Sequence, residues 1–142
     1  VSETPSIETT HPVMFFDTDC AGVVHNLAYL RFIETARTLL AEQLGWKLAE
    51  MGQSGLYPVL VRTEIDYIRP AVLGDVVKVT GRLTQVQRAR FWCAFEGIRA
   101  SDSEILVKCR QQLAVVQMPQ GRPVRLPADW NERFAHLRAP AD

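Results

Sequence analysis

The sequence predicts an α+β domain in which an antiparallel sheet wraps around one long helix. Three observations carry this. One long stretch has apolar residues at helical period, four later stretches alternate with period two, and the connections between those four are short.

The elements follow in order. After a polar leader, VSETPSIETT, the stretch THPVMFF (Thr10 to Phe16) makes one short strand. From about Leu27 to Leu44 a helix is expected. Tyr29, Leu30, Phe32, Ile33, Ala36, Leu39, Leu40 and Leu44 gather on one side, and Arg31, Glu34, Thr35, Thr38 and Glu42 take the other. The apolar stripe is wider than one flat surface needs, so the sheet is expected to embrace it. Asn26 suits the N-cap, and Gly45 the C-terminal stop. In YPVLVRTEIDYIRP, Val59, Val61, Thr63, Ile65 and Tyr67 alternate with charged residues, and PAVLGD then supplies a turn. VVKVTGRLTQVQ, ARFWCAFEGIRA and ILVKCRQQLAVVQM are three further strands, the last two joined through SDSE. LPADWNERFAHL reads as a short helix with Asp129 as cap. Parity leaves Val72, Trp92, Ile98, Leu106, Ala114 and Val116 pointing outward. A large exposed apolar face and open sheet edges predict an oligomer, at least a two-fold dimer.

Bulk composition narrows the function. With 142 residues, 47% hydrophobic and 23% charged, there is chain for one core and not two. Sixteen basic residues balance sixteen acidic ones, which gives no field to recruit nucleic acid or an anionic membrane. No apolar run approaches the roughly 20 residues a bilayer span needs, and the leader lacks the basic and apolar regions of a signal peptide. Cys20, Cys93 and Cys109 are too few and too scattered for a disulfide framework or a metal cluster. The expectation is a cytoplasmic protein with no cofactor and no metal. No Walker-type or dinucleotide-binding glycine loop is present, which argues against nucleotide hydrolysis or redox work.

The segment DTDCAGVVHNLAYLRFIETAR (Asp17 to Arg37) then stands out, with two aspartates just before the main helix. Asp17, Asp19, Gly22, Val24, Asn26 and Tyr29 fall in a pattern that resembles the signature of the 4-hydroxybenzoyl-CoA thioesterase family. YIRPAVLGD (Tyr67 to Asp75) resembles that family's strand-turn-strand signature of Tyr, Pro and Gly-Asp. The resemblance covers roughly residues 9 to 117, leaving 118–142 as a C-terminal extension of a single domain. It implies the hotdog fold, dimers or tetramers with active sites between protomers, and hydrolysis of acyl-CoA or aroyl-CoA thioesters. Acyl carrier protein thioesters, or a domain that binds acyl chains without catalysis, are the alternatives. A hydratase is disfavoured for want of a His-plus-Glu arrangement.

Thioester hydrolysis needs a base or nucleophile at the carbonyl carbon and donors for the oxyanion. A helix N-terminus offers unpaired N–H groups and a favourable dipole. By the resemblance, Asp19 is the catalytic carboxylate, as general base or as nucleophile; the bland reading is a turn residue bonding its own backbone. Asp17 is expected to order the loop. The N–H at Asn26, or next to it, is the expected oxyanion donor; the equal alternative is that the Asn26 side chain only caps the helix. His25 is expected either to orient water or the acyl group near Asp19 or to be a bonded loop histidine; some family members place their histidine one position later, which turns a side chain by about 100°. Tyr29 is a substrate-binding position by the same resemblance. Cys20 is expected to be a small packing residue, Cys93 and Cys109 core residues, and His11 and His136 surface residues. Glu34 is expected to pair with Arg37 rather than to catalyse. Arg88 and Arg90, on a predicted hairpin, are expected either to meet the phosphates of coenzyme A, with Arg69 and Lys108 as further candidates, or to be merely solvated turn residues. Tyr57, Val59 and Phe32 are expected to set pocket depth.

Overall fold

The computed structural model describes residues 4–139. Strand β1 (Ser6–Pro12) leads through a 3-10 turn at Phe15–Asp17 to helix α1 (Asn26–Gln43) and the short helix α2 (Leu48–Ser54). Four long strands follow: β2 (Leu56–Tyr67), β3 (Val76–Val86), β4 (Arg90–Arg99) and β5 (Ile105–Gln117). A short β6 (Arg122–Val124) and helix α3 (Trp130–Arg133) close the described chain. The long strands lie in the order β1-β3-β4-β5-β2, all antiparallel, with β6 continuing beside β5. The sheet curls over α1 in the hotdog arrangement. Among the described residues no helix is long and apolar enough to cross a membrane.

Several expectations change. The first strand starts at Ser6 and stops at Pro12, because it pairs with β3 from Ser6–Arg82 to Pro12–Val76. The chain then turns where the Met14 N–H donates to the Asp17 carboxylate at 2.8 Å. Helix α1 buries Ala28, Tyr29, Phe32, Ile33, Ala36 and Leu40, but Leu39 is exposed and Leu30 half-buried, so the stripe is narrower than expected. Gly45 does stop the helix, in the left-handed region at φ +109°. Asp129 stands at the cap of α3 and its carbonyl accepts from the Glu132 and Arg133 N–H groups, but its carboxylate bonds no backbone N–H and pairs with the Arg133 side chain instead.

Of the predicted apolar outer face Val72 is exposed and Ile98 half-buried, but the other four residues are buried, for two main reasons. At Gly97–Ile98 the β4–β5 register slips, so Leu106 is an extra residue and turns inward to full burial. Trp92, which keeps its outward parity, is covered by the Arg110 guanidinium, 4.1 Å from the ring centroid. Ala114 and Val116 are also buried, Val116 between Tyr57 and Pro123 of the flanking strands. Around them the outer face is charged, with Arg110 donating two hydrogen bonds to Glu64 and Lys78 paired with Glu8. Exposed apolar surface lies elsewhere: on the edge strand β2 at Val59, Leu60 and Val61, and beside the start of α1 at Phe15, Phe16 and Leu27.

The C-terminal segment completes the core. Trp46 stacks on Phe91 with ring centroids 5.7 Å apart, and Trp130 meets both edge-on before Phe134 closes the set. Trp130 and Phe134 are almost wholly buried. His11 is no surface residue: it is half-buried, stacked on Phe32 at 4.7 Å and bonded to Thr9. Burial lowers its pKa, against an opposing pull from Asp17. His136 is exposed.

Candidate active site

The loop between β1 and α1 is built around Asp17. Its buried carboxylate accepts from the Met14 N–H and from Arg31 at 2.8 Å each, and its carbonyl accepts from the His25 N–H. Two accepted bonds, one of them from a cation, commit both oxygens, so Asp17 orders the loop as expected. Asp19 sits at the tip of a small hairpin closed by the Thr18–Val24 bridge. The Gly22 N–H donates to the Asp19 carbonyl, with Gly22 at φ +78°, and Asp19 Oδ1 accepts from the Ala21 N–H at 2.8 Å. Asp19 is exposed, and its Oδ2 has no protein donor among the described residues. Cys20, next to it, is exposed rather than packed, because this turn projects from the surface.

His25, not Asn26, is the N-cap. Its backbone is extended and its Nδ1 accepts from the Ala28 N–H at 3.2 Å, which leaves Nε2 to carry the ring proton. Asn26 is therefore the first helical residue. With the His25 and Ala28 amides engaged, the N–H groups of Asn26 and Leu27 have no partner among the described residues. The expected donor, the N–H at Asn26 or next to it, falls on this pair; what the structure changes is the cap, which lies one residue earlier than expected.

These free donors open beside a groove of about 280 Å³ lined by Val24, Asn26, Tyr29, Tyr67, Ile68, Arg69 and Pro70. The Tyr29 ring is buried, and its hydroxyl accepts from the Ala71 N–H at 3.0 Å. Burial raises its pKa above the usual tyrosine value, with the Ala71 N–H pulling the other way. The phenol thus stays protonated at neutral pH. Arg69 pairs with Glu104 at 3.2 Å. Asp19 lies in the adjoining hairpin and does not line the groove.

The structure does not bring every candidate together within one chain. Arg88 and Arg90 lie on the β3–β4 hairpin beside Phe91, at the Trp46 end of α1, whereas Asn26 and Tyr29 are at the other end. An 18-residue helix spans about 27 Å. The hairpin arginines open onto a separate cavity of about 710 Å³, shared with Arg125 and Arg138 and with no acidic side chain in its lining. Sequence reasoning missed Arg125 and Arg138 because only the docking of Trp130 brings that segment back to the hairpin. Lys108 is exposed on β5. Glu34 is exposed and lies 3.9 Å from Arg37, an ordinary helix pair. Cys93 and Cys109 are core residues whose thiols burial pushes up to about 12 and about 11.

Comparison with known proteins agrees with the fold. The model of the thioesterase-like superfamily matches residues 13–134. Acyl-CoA thioesterase YbgC of Haemophilus influenzae is 30% identical over 127 residues, covering 89% of this chain and 92% of that protein. The 1,4-dihydroxy-2-naphthoyl-CoA hydrolase of Thermosynechococcus vestitus is 27% identical, over 89% and 87%. Among solved structures, Slr0204, a 1,4-dihydroxy-2-naphthoyl-CoA thioesterase from Synechocystis, superposes with a TM-score of 0.79 at 25% identity, covering 93% and 97% of the two chains. The resemblance to 4-hydroxybenzoyl-CoA thioesterases is thus matched at the broader level, and the chain belongs to the thioesterase-like superfamily, the hotdog-fold thioester hydrolases.

Proposed function

We propose that the protein hydrolyses acyl-CoA or aroyl-CoA thioesters. The observation that carries this is the pair of free N–H groups at Asn26 and Leu27, aimed from a helix N-terminus beside a groove with tyrosine and isoleucine walls. Such donors stabilise a developing oxyanion, and losing one costs ~10²–10³ in rate. Asp19, with an unbonded carboxylate oxygen close to this helix start, acts on the carbonyl carbon as base for water or as nucleophile. His25 contributes by capping the helix and so holding the donors in place. Tyr29 keeps its own hydroxyl proton for the groove.

The active form we propose is a homo-oligomer built on β2 edges. Strand β2 ends the sheet and exposes Val59, Leu60 and Val61 along an unpaired edge. Antiparallel pairing of two such edges about a two-fold axis reverses the ends. It sets the Arg88–Arg90 hairpin of one copy at the same end as the Asn26 groove of the other. Strand β4 then stands three strand spacings from the second copy's β2, or about 14 Å, against about 27 Å along a single helix. Arg88 and Arg90, with Arg125 and Arg138, would take the phosphates of the coenzyme there. Three free thiols fit a cytoplasmic setting.

The test is release of free coenzyme A, followed with a thiol reagent over a panel from short acyl to aroyl thioesters. Turnover by wild type and a loss of ~10²-fold or more in kcat for Asp19→Asn are expected, with no change in melting temperature, since Asp19 is exposed. Equal activity of the two proteins would remove Asp19 from the chemistry. No turnover by wild type would turn the reading toward carrier-protein substrates.

A further inference from the structure

Arg99 stands at the end of β4, outside the groove, with its side chain 20% exposed. Three of its nitrogens are committed. Nε donates to Asp75 at 3.0 Å, Nη1 to Asp102 at 2.8 Å, and Nη2 to the Pro70 carbonyl at 2.9 Å. That carbonyl shares a peptide group with the Ala71 N–H, which donates to the Tyr29 hydroxyl at 3.0 Å. A peptide is one resonance-coupled unit, so a cation on its oxygen draws charge from its nitrogen and strengthens the N–H as a donor. The Tyr29 oxygen, already accepting, is left with its own proton to give, and no acceptor for that proton exists among the described residues. Other bonds already hold this turn. Val72 donates to the Asp75 side chain, Asp75 to the Val72 carbonyl, and Val24 to the Ala71 carbonyl. The Arg99 contact on Pro70 is added to bonds that already define this turn.

We propose that Arg99 is a positioning residue: through the Pro70–Ala71 peptide it fixes the Tyr29 hydroxyl as a hydrogen-bond donor to the acyl oxygen held at the Asn26 end of the groove. This rests on the thioesterase reading above. It makes Tyr29 a third donor at the oxyanion, fed from a charge outside the pocket. Lysine at position 99 keeps the charge but loses the fork that reaches Asp75, Asp102 and Pro70 together.

A double-mutant cycle on the fastest substrate of the thioester panel tests it. Tyr29→Phe is expected to lower kcat by ~10²-fold and Arg99→Lys by about fivefold, each with KM within about twofold of wild type. In the Tyr29→Phe background, Arg99→Lys is expected to add less than about twofold. The same fivefold loss in both backgrounds, or a loss carried by KM, would overturn the proposal. An amide measurement separates this outcome from the fate of the thioesterase reading. The Ala71 proton resonance is expected to move upfield in Arg99→Lys and again in Tyr29→Phe. If it stays put in Arg99→Lys the relay is refuted, whether or not any thioester is hydrolysed. If it moves the relay stands, even in a protein with no turnover. Should Arg99→Lys fold poorly, Asp102→Asn, an exposed change that frees one arm of the fork, replaces it in both measurements.

Discussion

The two ends of helix α1 are built to opposite specifications. At the C-terminal end, Gly45 turns the chain, and Trp46, Phe91, Trp130 and Phe134 close an aromatic cluster with almost no exposed surface. At the N-terminal end two backbone donors and one oxygen of the Asp19 carboxylate have no partner among the described residues, and Phe15, Phe16 and Leu27 face solvent. The aromatic contacts at the first end contribute stability, and they also bring the arginine cavity together. The second end holds its unmade bonds in place with an ion pair between the buried Asp17 carboxylate and the exposed Arg31, and with a histidine cap. Stability is concentrated where the helix ends, so that its start can remain unsatisfied and reactive.

Breaking the sealed end gives the largest effect. Trp130→Ala is expected to destabilise the fold by ~3–5 kcal/mol, since the ring is almost wholly buried against three other aromatics. Urea unfolding reads this directly. The value of kcat, measured where the variant is still folded, is expected to change little if the two ends are independent. A parallel fall in kcat would mean that the ends are coupled through the helix. At the open end, His25→Ala is expected to cost about 0.5–1 kcal/mol, because the Ala28 N–H keeps its bond to the His25 carbonyl and loses only the ring. Here the comparison sharpens: kcat is expected to fall by more than the stability loss suggests, as the neighbouring free donors lose their orientation. Thermal melts and thiol release on one preparation separate the two.

The smallest effect is one of pH. Burial depresses the folded-state pKa of His11 below its ordinary 6.5. Above 6.5 the ring is neutral in both states, and its contribution to stability is fully present. As the pH falls from 6.5 to the depressed folded value, the unfolded chain takes up the proton first and stability is lost; below that value the loss is complete. Melting curves from pH 8 down to pH 5 are expected to show this slope in wild type and less of it in His11→Gln.

Some features of the molecule were decided within short stretches of chain. Helical spacing from Tyr29 to Leu44 specified α1, and alternation specified β2 to β5, since side-chain period depends only on local backbone geometry. Asp17 and Asn26 were readable as a loop anchor and a donor position because they lie within a few residues of the helix start. Other features required distant segments to meet. Whether Leu106 points in or out depends on a register slip against β4, and whether Trp92 is exposed depends on Arg110 from another strand. The cap fell to His25 because the Asp17 carbonyl holds its backbone extended. The arginine cavity exists only once Trp130 docks beside Phe91, and the Arg99 contact on Pro70 joins residues 29 positions apart. Periodicity is a property of neighbouring residues and survives in the sequence. Bulges, caps and charge clusters depend on which surfaces meet after the chain has closed, so only the tertiary structure could decide them.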